Sequence, residues 1–216
     1  MSENIDETRE AAREAVGGDN IRDQVKNITL SALSQRQLDK ESIKQVIHSV
    51  VEGVSEGVGD SAERVKPQLK ESLAGIDDAL AKSAMAAKLA VEEAAGRAES
   101  FAKEDLKSAV SQLESLEDLF IDTVNTVAKQ TGELTSSALT ELSAHLKNTG
   151  TASGREALDA VSNLKDTLLD VGKDSVSEIG NATSNAASQL AQVASGLLSG
   201  MAEAIQPNRK DSDTKS

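Results

Sequence analysis

Residues 65–102 read VKPQLKESLAGIDDALAKSAMAAKLAVEEAAGRAESFA. They place an apolar side chain at every step of a 4-4-3 ladder: Val65, Leu69, Leu73, Ile76, Leu80, Ala84, Ala87, Val91, Ala95, Ala98 and Ala102. The chain is 38% hydrophobic, so chance fills about four of eleven chosen positions, and here all are filled. Eleven residues in three turns is about 3.67 per turn, which keeps the stripe nearly straight along an α-helix with a slight right-handed drift. A helix of this kind is built to lie against something long. The stripe describes contact and names no reaction.

On the C-terminal side of the ladder the pattern becomes heptad-like, through Leu106, Val110, Leu113, Phe120, Val124, Val127, Leu134 and Ala138. The run LEDLFIDTV is the densest apolar stretch and predicts the best-buried part of the protein. One helix over residues 68–147 has a length of about 120 Å at 1.5 Å per residue. Fold-back near residues 103–105 or at Thr131-Gly132 is the alternative, and the spacing leaves both open.

On the N-terminal side, Gly17-Gly18 ends a short first helix, and Asn20 with Asp23 forms a capping-box-like start to a second with the face Ile21, Val25, Ile28 and Leu33. Asp39 is placed to cap a third, whose stripe is Ile43, Val46, Ile47, Val50, Val51, Val54 and Val58. Gly53, Gly57 and Gly59 predict a loosened chain before Asp60. Pro67 disfavours helical geometry at Lys66, so a boundary is expected within residues 57–67; were Pro67 in a first helical turn, the ladder would begin at Leu69 and still match at its ten remaining positions. After the break NTGTASG, Ser153 with Glu156 reads as another capping box. The last helix then carries Leu158, Val161, Leu168, Val176, Ile179, Ala186, Leu190, Val193, Leu197 and Met201. The expected organisation is short helices over 1–60, a long amphipathic region over 61–149, a C-terminal helix over 150–206 and a disordered tail over 207–216.

Composition limits the fold further. Leu, Ile, Val and Phe together make 49 of 216 residues, Trp and Tyr are absent, and Phe101 and Phe120 are the only large rings. Few bulky side chains are available to wall a ligand pocket, whereas alanine, serine and long charged residues suit helices packed side by side. Apolar spacing is helical nearly throughout, without the strict alternation of a strand. The fold class is therefore all-α: elongated amphipathic helices in a bundle or a coiled-coil-like arrangement with an eleven-residue repeat.

A net charge of −13 excludes non-specific nucleic-acid binding, which needs clustered cations, and opposes anionic membranes. The chain has no cysteine, and its start MSENIDETRE lacks the basic and apolar regions of a secretory signal, so cytoplasmic residence is expected. Ile179 to Ala202 carries no charge but many Asn, Ser, Thr and Gln side chains, which are costly in hydrocarbon, so no membrane span is expected. Gly196 and Gly200 within it have the spacing of a close helix contact.

No catalytic constellation is recognisable. His48 and His145 lack further ligands at metal-binding spacing, although Glu141 and His145 share a helix face. The Gly53/Gly57/Gly59 cluster has no following Lys-Ser/Thr to make a phosphate loop, and no Gly-x-Ser-x-Gly elbow occurs. The reading is a non-enzyme without cofactor or metal. The charged residues flanking the ladder alternate in sign, as on a solvated helix face.

The eleven-residue pattern, the absence of Cys and Trp, and the Ala/Ser/Glu/Lys-rich helices over roughly residues 61–205 resemble phasins and, more distantly, apolipoprotein-like proteins. That resemblance implies coating of hydrophobic polyester granules or lipid. The stretches IRDQVKNITLSALSQRQLDKESIKQVI and AQVASGLLSGMAEAIQP are similar to an uncharacterised bacterial helical family of unknown function, which implies a bacterial origin.

The expected function is thus surface contact through an interaction face of Val65, Leu69, Leu73, Ile76, Leu80, Ala84, Ala87, Val91, Leu113, Phe120, Val124, Val127, Gly196 and Gly200. Its partner is a neutral apolar granule or lipid surface. The alternative is a self-associating structural or adaptor protein that binds another protein, and either way a homo-oligomer is expected. An enzyme without a recognisable site is the third class. Leucine and valine in the first half of the ladder suit insertion into an apolar phase, while alanine in the second half suits close helix packing. Packing at rest with coating as an opened state reconciles the two.

Overall fold

The computed structural model describes residues 2–36, 39–59, 61–96 and 110–174, with side chains over 4–36, 39–59, 61–90 and 110–165. Helix α1 (Ser2–Ala15) stops before Gly17-Gly18, where the Gly17 N–H bonds the Glu14 carbonyl. Helix α2 (Ile21–Ser34) begins at the expected place by a different device. Asn20 is left-handed (φ 60°) and makes no side-chain cap, and Asp23 pairs with Lys26 instead of reaching back. The tight turn from Gly18 demands the left-handed residue, a conformation that Asn tolerates.

Helix α3 (Lys40–Gly57) is capped as expected, with the Asp39 carboxylate accepting the Ser42 N–H at 2.9 Å. It buries the whole stripe from Ile43 to Val58. Gly53 and Gly57 lie inside this helix, so the expected loosening there is corrected, and the chain breaks only after Gly57. Helix α4 (Ala62–Gly96) starts within the expected 57–67 boundary and holds Pro67 in its second turn. The missing Pro67 N–H frees only the Glu63 carbonyl, one turn from an exposed helix start, so the loss is small.

Residues 110–114 are helical and lead through a turn at Ser115 into α5 (Leu116–Ala128). The chain reverses over 129–132 into α6 (Glu133–Thr149), so residues 68–147 do not form one helix. Gly150, with φ 74°, separates α6 from α7 (Ala152–Asp174). Among the described residues the fold is all-α. Helix α1 packs on α3, α2 on α4, α4 on α7 and α5 on α6, and α3 bridges to α5. Buried side chains from all seven helices form one continuous cluster, from Ala12 to Leu164.

Candidate interaction surface

The ladder residues Val65, Leu69, Leu73, Ile76, Leu80 and Ala84 are each at most 3% exposed, and Ala87 is partly buried against the same core. Several short helices cover α4, namely α2, α3, α6 and α7, in place of one long partner. The heptad-like seam is buried at Val110, Leu113, Phe120, Val124, Val127 and Ala138. Leu134 breaks the pattern and is exposed. The reversal at 129–132 resets the helical phase, so a seam counted through it points Leu134 outward. The side chain of Val91, the ladder beyond it, Gly196, Gly200 and the expected tail lie outside the described residues.

Two helix pairs are joined backbone to backbone. Ser49, Gly53 and Gly57 follow one another at four-residue spacing on α3 and face Ile5, Arg9 and Arg13 of α1. The Ser49 hydroxyl donates to the Ile5 carbonyl at 2.7 Å, while a Cβ on Gly53 or Gly57 would stand 2.1 or 2.3 Å from the Arg9 or Arg13 carbonyl oxygen. Gly75 plays the same part for α4, since a Cβ there would meet the Arg22 carbonyl oxygen of α2 at 2.4 Å. Beside it the Arg22 guanidinium donates two hydrogen bonds to Asp78, at 2.7 and 2.9 Å, and this hydrogen-bonded charge partner raises the Arg22 pKa.

The third junction, between α7 and its neighbours, is polar. Thr151 caps α7 through its hydroxyl, which accepts the Gly154 N–H at 2.9 Å, so the expected cap at Ser153 is corrected. Ser153 is fully buried and gives its N–H to Asp77 of α4 at 2.8 Å, and Ala152 gives its N–H to the other Asp77 oxygen at 2.7 Å. Glu117 of α5 accepts both the N–H and the hydroxyl of Thr151, at 2.8 and 2.9 Å. Carboxylates are favoured there by the partial positive charge of a helix N-terminus, and together with Thr151 they satisfy its otherwise orphaned donors. Gly154 leaves room for Glu117, because a Cβ there would lie 2.7 Å from the carboxylate. This clamp fixes the rotation of α7 so that Ala157, Ala160, Val161 and Leu164 are buried. Leu158, expected on the buried stripe, is 67% exposed.

On the outer side of α4, Met85 and Leu89 are exposed one turn apart. Met85 lines a shallow groove with Asp78, Ala81 and Lys82, walled by Lys26 of α2 and Glu156 of α7. Composition alone does not reveal this strip, since it falls outside the ladder; only the positions of α2 and α7 leave it uncovered. Among the described residues no group of three His, Asp or Glu side chains is placed to share a metal ion, and no helix is long and apolar enough to cross a membrane. His48 sits near Glu52, while Glu141 pairs with Lys66 rather than with His145.

Residues 2–207 match the model of a family of unknown function, DUF6781, and the chain belongs to that family. No curated protein and no solved structure matches the chain.

Proposed function

We propose that this member of DUF6781 is a non-enzymatic cytoplasmic protein that acts by surface contact, packed as a bundle at rest and opening to coat a neutral apolar surface in the manner of phasins. The observation that carries the reading is α4 itself. One helix of 35 residues, about 52 Å long at 1.5 Å per residue, carries an uninterrupted apolar stripe in its sequence, and the protein's own helices cover it from Val65 to Ala87. In contact with an apolar phase, each methylene of Leu69, Leu73, Ile76 and Leu80 contributes about 0.8 kcal/mol. An opened stripe can therefore replace inside contacts with outside ones. The charge of −13 directs it to neutral rather than anionic surfaces.

Flotation with a neutral polyester or oil emulsion and with anionic phosphatidylglycerol vesicles tests the reading. The expected result is adsorption to the emulsion and little to the vesicles, most clearly at low salt. Leu73→Asp with Leu80→Asp is expected to abolish adsorption by placing charges in the stripe. Val46→Asp with Val50→Asp places two charges in the same buried cluster, spares the ladder and is expected to retain adsorption. Better binding to vesicles, or no loss in the ladder variant, overturns the reading.

The outer strip favours a second reading, a self-associating or adaptor helix bundle. Met85 and Leu89 face outward on the same helix, and an exposed pair at this spacing suits contact with another helix. A homo-oligomer that weakens on Met85→Ser with Leu89→Ser supports it, and a monomer at all micromolar concentrations overturns it.

A further inference from the structure

The self-association reading leaves open how two copies meet, and the inference that follows rests on that reading. We infer that the outer strip of α4 is the face of a homodimer in which two α4 helices lie parallel about a two-fold axis, so that the Lys82 flank of each copy meets the Glu156 flank of the other. The strip has a helix of the protein on either side. Gly75 and Lys82, seven residues apart, share the side of α4 that α2 covers, where a Cβ on Gly75 would meet the Arg22 carbonyl oxygen. Asp77 and Lys88, eleven residues apart, share the opposite side, held by Ala152, Ser153 and Asp159 of α7. Between these sides run Ala74, Ala81, Met85 and Leu89, of which Met85 is 43% and Leu89 44% exposed. A second copy of the same strip removes the apolar area of both pairs from water.

The two flanks differ in sign. On the α2 side Lys26 is paired with Asp23, and Lys82 stands beside it; on the α7 side Asp159 is paired with Lys88, and Glu156 stands beside it. Lys82 and Glu156 line the same shallow groove as Met85, so they lie at one level along the strip. Among the described residues neither makes an ion pair, which leaves one cation and one carboxylate available to a partner. Two symmetric pairings are open to this face. An axis parallel to α4 exchanges the flanks, so Lys82 of each copy meets Glu156 of the other and two opposite-charge contacts form. An axis across α4 runs the helices antiparallel and keeps the flanks, so cation faces cation and carboxylate faces carboxylate at any height. Opposite charges across an interface favour a pairing, and like charges oppose it. The charge pattern therefore selects the parallel dimer, and its self-complementary face closes at two copies.

Sedimentation of the full chain tests the charge pairing. Lys82→Glu alone and Glu156→Lys alone are each expected to raise the dimer dissociation constant about ten-fold or more. An equimolar mixture of the two is expected to return it to within about three-fold of the parent, because every mixed dimer again holds two opposite pairs. Mixing cannot repair a contact within one chain. A mixture that does not recover, or a Lys82→Glu chain that pairs with the parent more tightly than the parent with itself, overturns the parallel dimer. Because the chain contains no cysteine, Ala74→Cys and Leu89→Cys, about 22 Å apart along α4 at 1.5 Å per residue, give a second readout. Under copper-phenanthroline oxidation each single variant is expected to form a disulfide-linked dimer with itself. Disulfides that form only between the two variants when mixed mark an antiparallel pair and overturn the inference, as does a dimer that neither variant cross-links. These outcomes leave self-association standing. A parent that stays monomeric at all micromolar concentrations overturns the self-association reading and the dimer with it.

Discussion

A methyl group at Gly53 would stand 2.1 Å from the Arg9 carbonyl oxygen, whereas one at Gly59 would meet nothing within 4 Å. At Gly53, inside α3, alanine gains about 1 kcal/mol of helix propensity over glycine, so only the steric clash can make that substitution costly, whereas Gly59 lies between α3 and α4 in open space. Gly53→Ala is expected to lower the thermal midpoint followed by circular dichroism, because α1 has to move away from α3. Gly59→Ala is expected to leave it unchanged or raise it slightly. Phe120 is fully buried, and Phe120→Ala is expected to cost about 3–5 kcal/mol in denaturant unfolding. An unchanged midpoint contradicts that burial. The burial of Phe120 was legible in the run LEDLFIDTV. The role of Gly53 was not, because a glycine cluster equally signals a weak helix and only the neighbouring backbone distinguishes the meanings. A partial cue was present in the four-residue spacing of Ser49, Gly53 and Gly57.

Helix starts divide by where their capping groups come from. Asp39 caps α3 from its own sequence neighbourhood, and that was legible; Asp39→Ala is expected to cost about 1 kcal/mol. Helix α7 takes its capping groups from Thr151, from Asp77 on α4 and from Glu117 on α5. Its pattern Ser153…Glu156 is a valid local signal that stronger tertiary acceptors override. Asp77→Ala leaves two N–H groups without their acceptor, and a loss of about 1–3 kcal/mol is expected for a buried donor left unsatisfied. The urea midpoint measures it, and a change no larger than that of the exposed Asp159→Ala sinks the clamp. The α6 boundary was open in the sequence because Thr131-Gly132 is only a weak break within a continuing apolar seam. The outward-facing Leu134 and Leu158 record how a reversal or a clamp resets helical phase.

All described helices share one buried cluster, which joins the short N-terminal helices to the ladder and to α7. The outer strip of α4 makes the oligomeric state a property of the assembled molecule. Sedimentation is expected to show a dimer or larger species at micromolar concentration, and Met85→Ser with Leu89→Ser is expected to shift it toward monomer without lowering the melting midpoint. A variant that associates as well as the parent removes this strip from the interface. Charge acts at the same scale, since −13 spread over the chain opposes anionic vesicles most strongly when salt is low.

Periodicity and composition by themselves determined the all-α class, the shared face of Val65 to Ala84, the stripe of α3 and the Asp39 cap. These depend on which residues share a helix face, and a repeat encodes that locally. Only tertiary structure decided what the ladder faces, because the pattern of one helix is equally satisfied by a granule, a second chain or the protein's own helices. It also decided the backbone contacts at Gly53, Gly57 and Gly75, the Asp77–Glu117 clamp and the uncovered pair Met85 and Leu89. Each of these depends on groups distant in sequence meeting within a few ångströms, and no single segment contains that information.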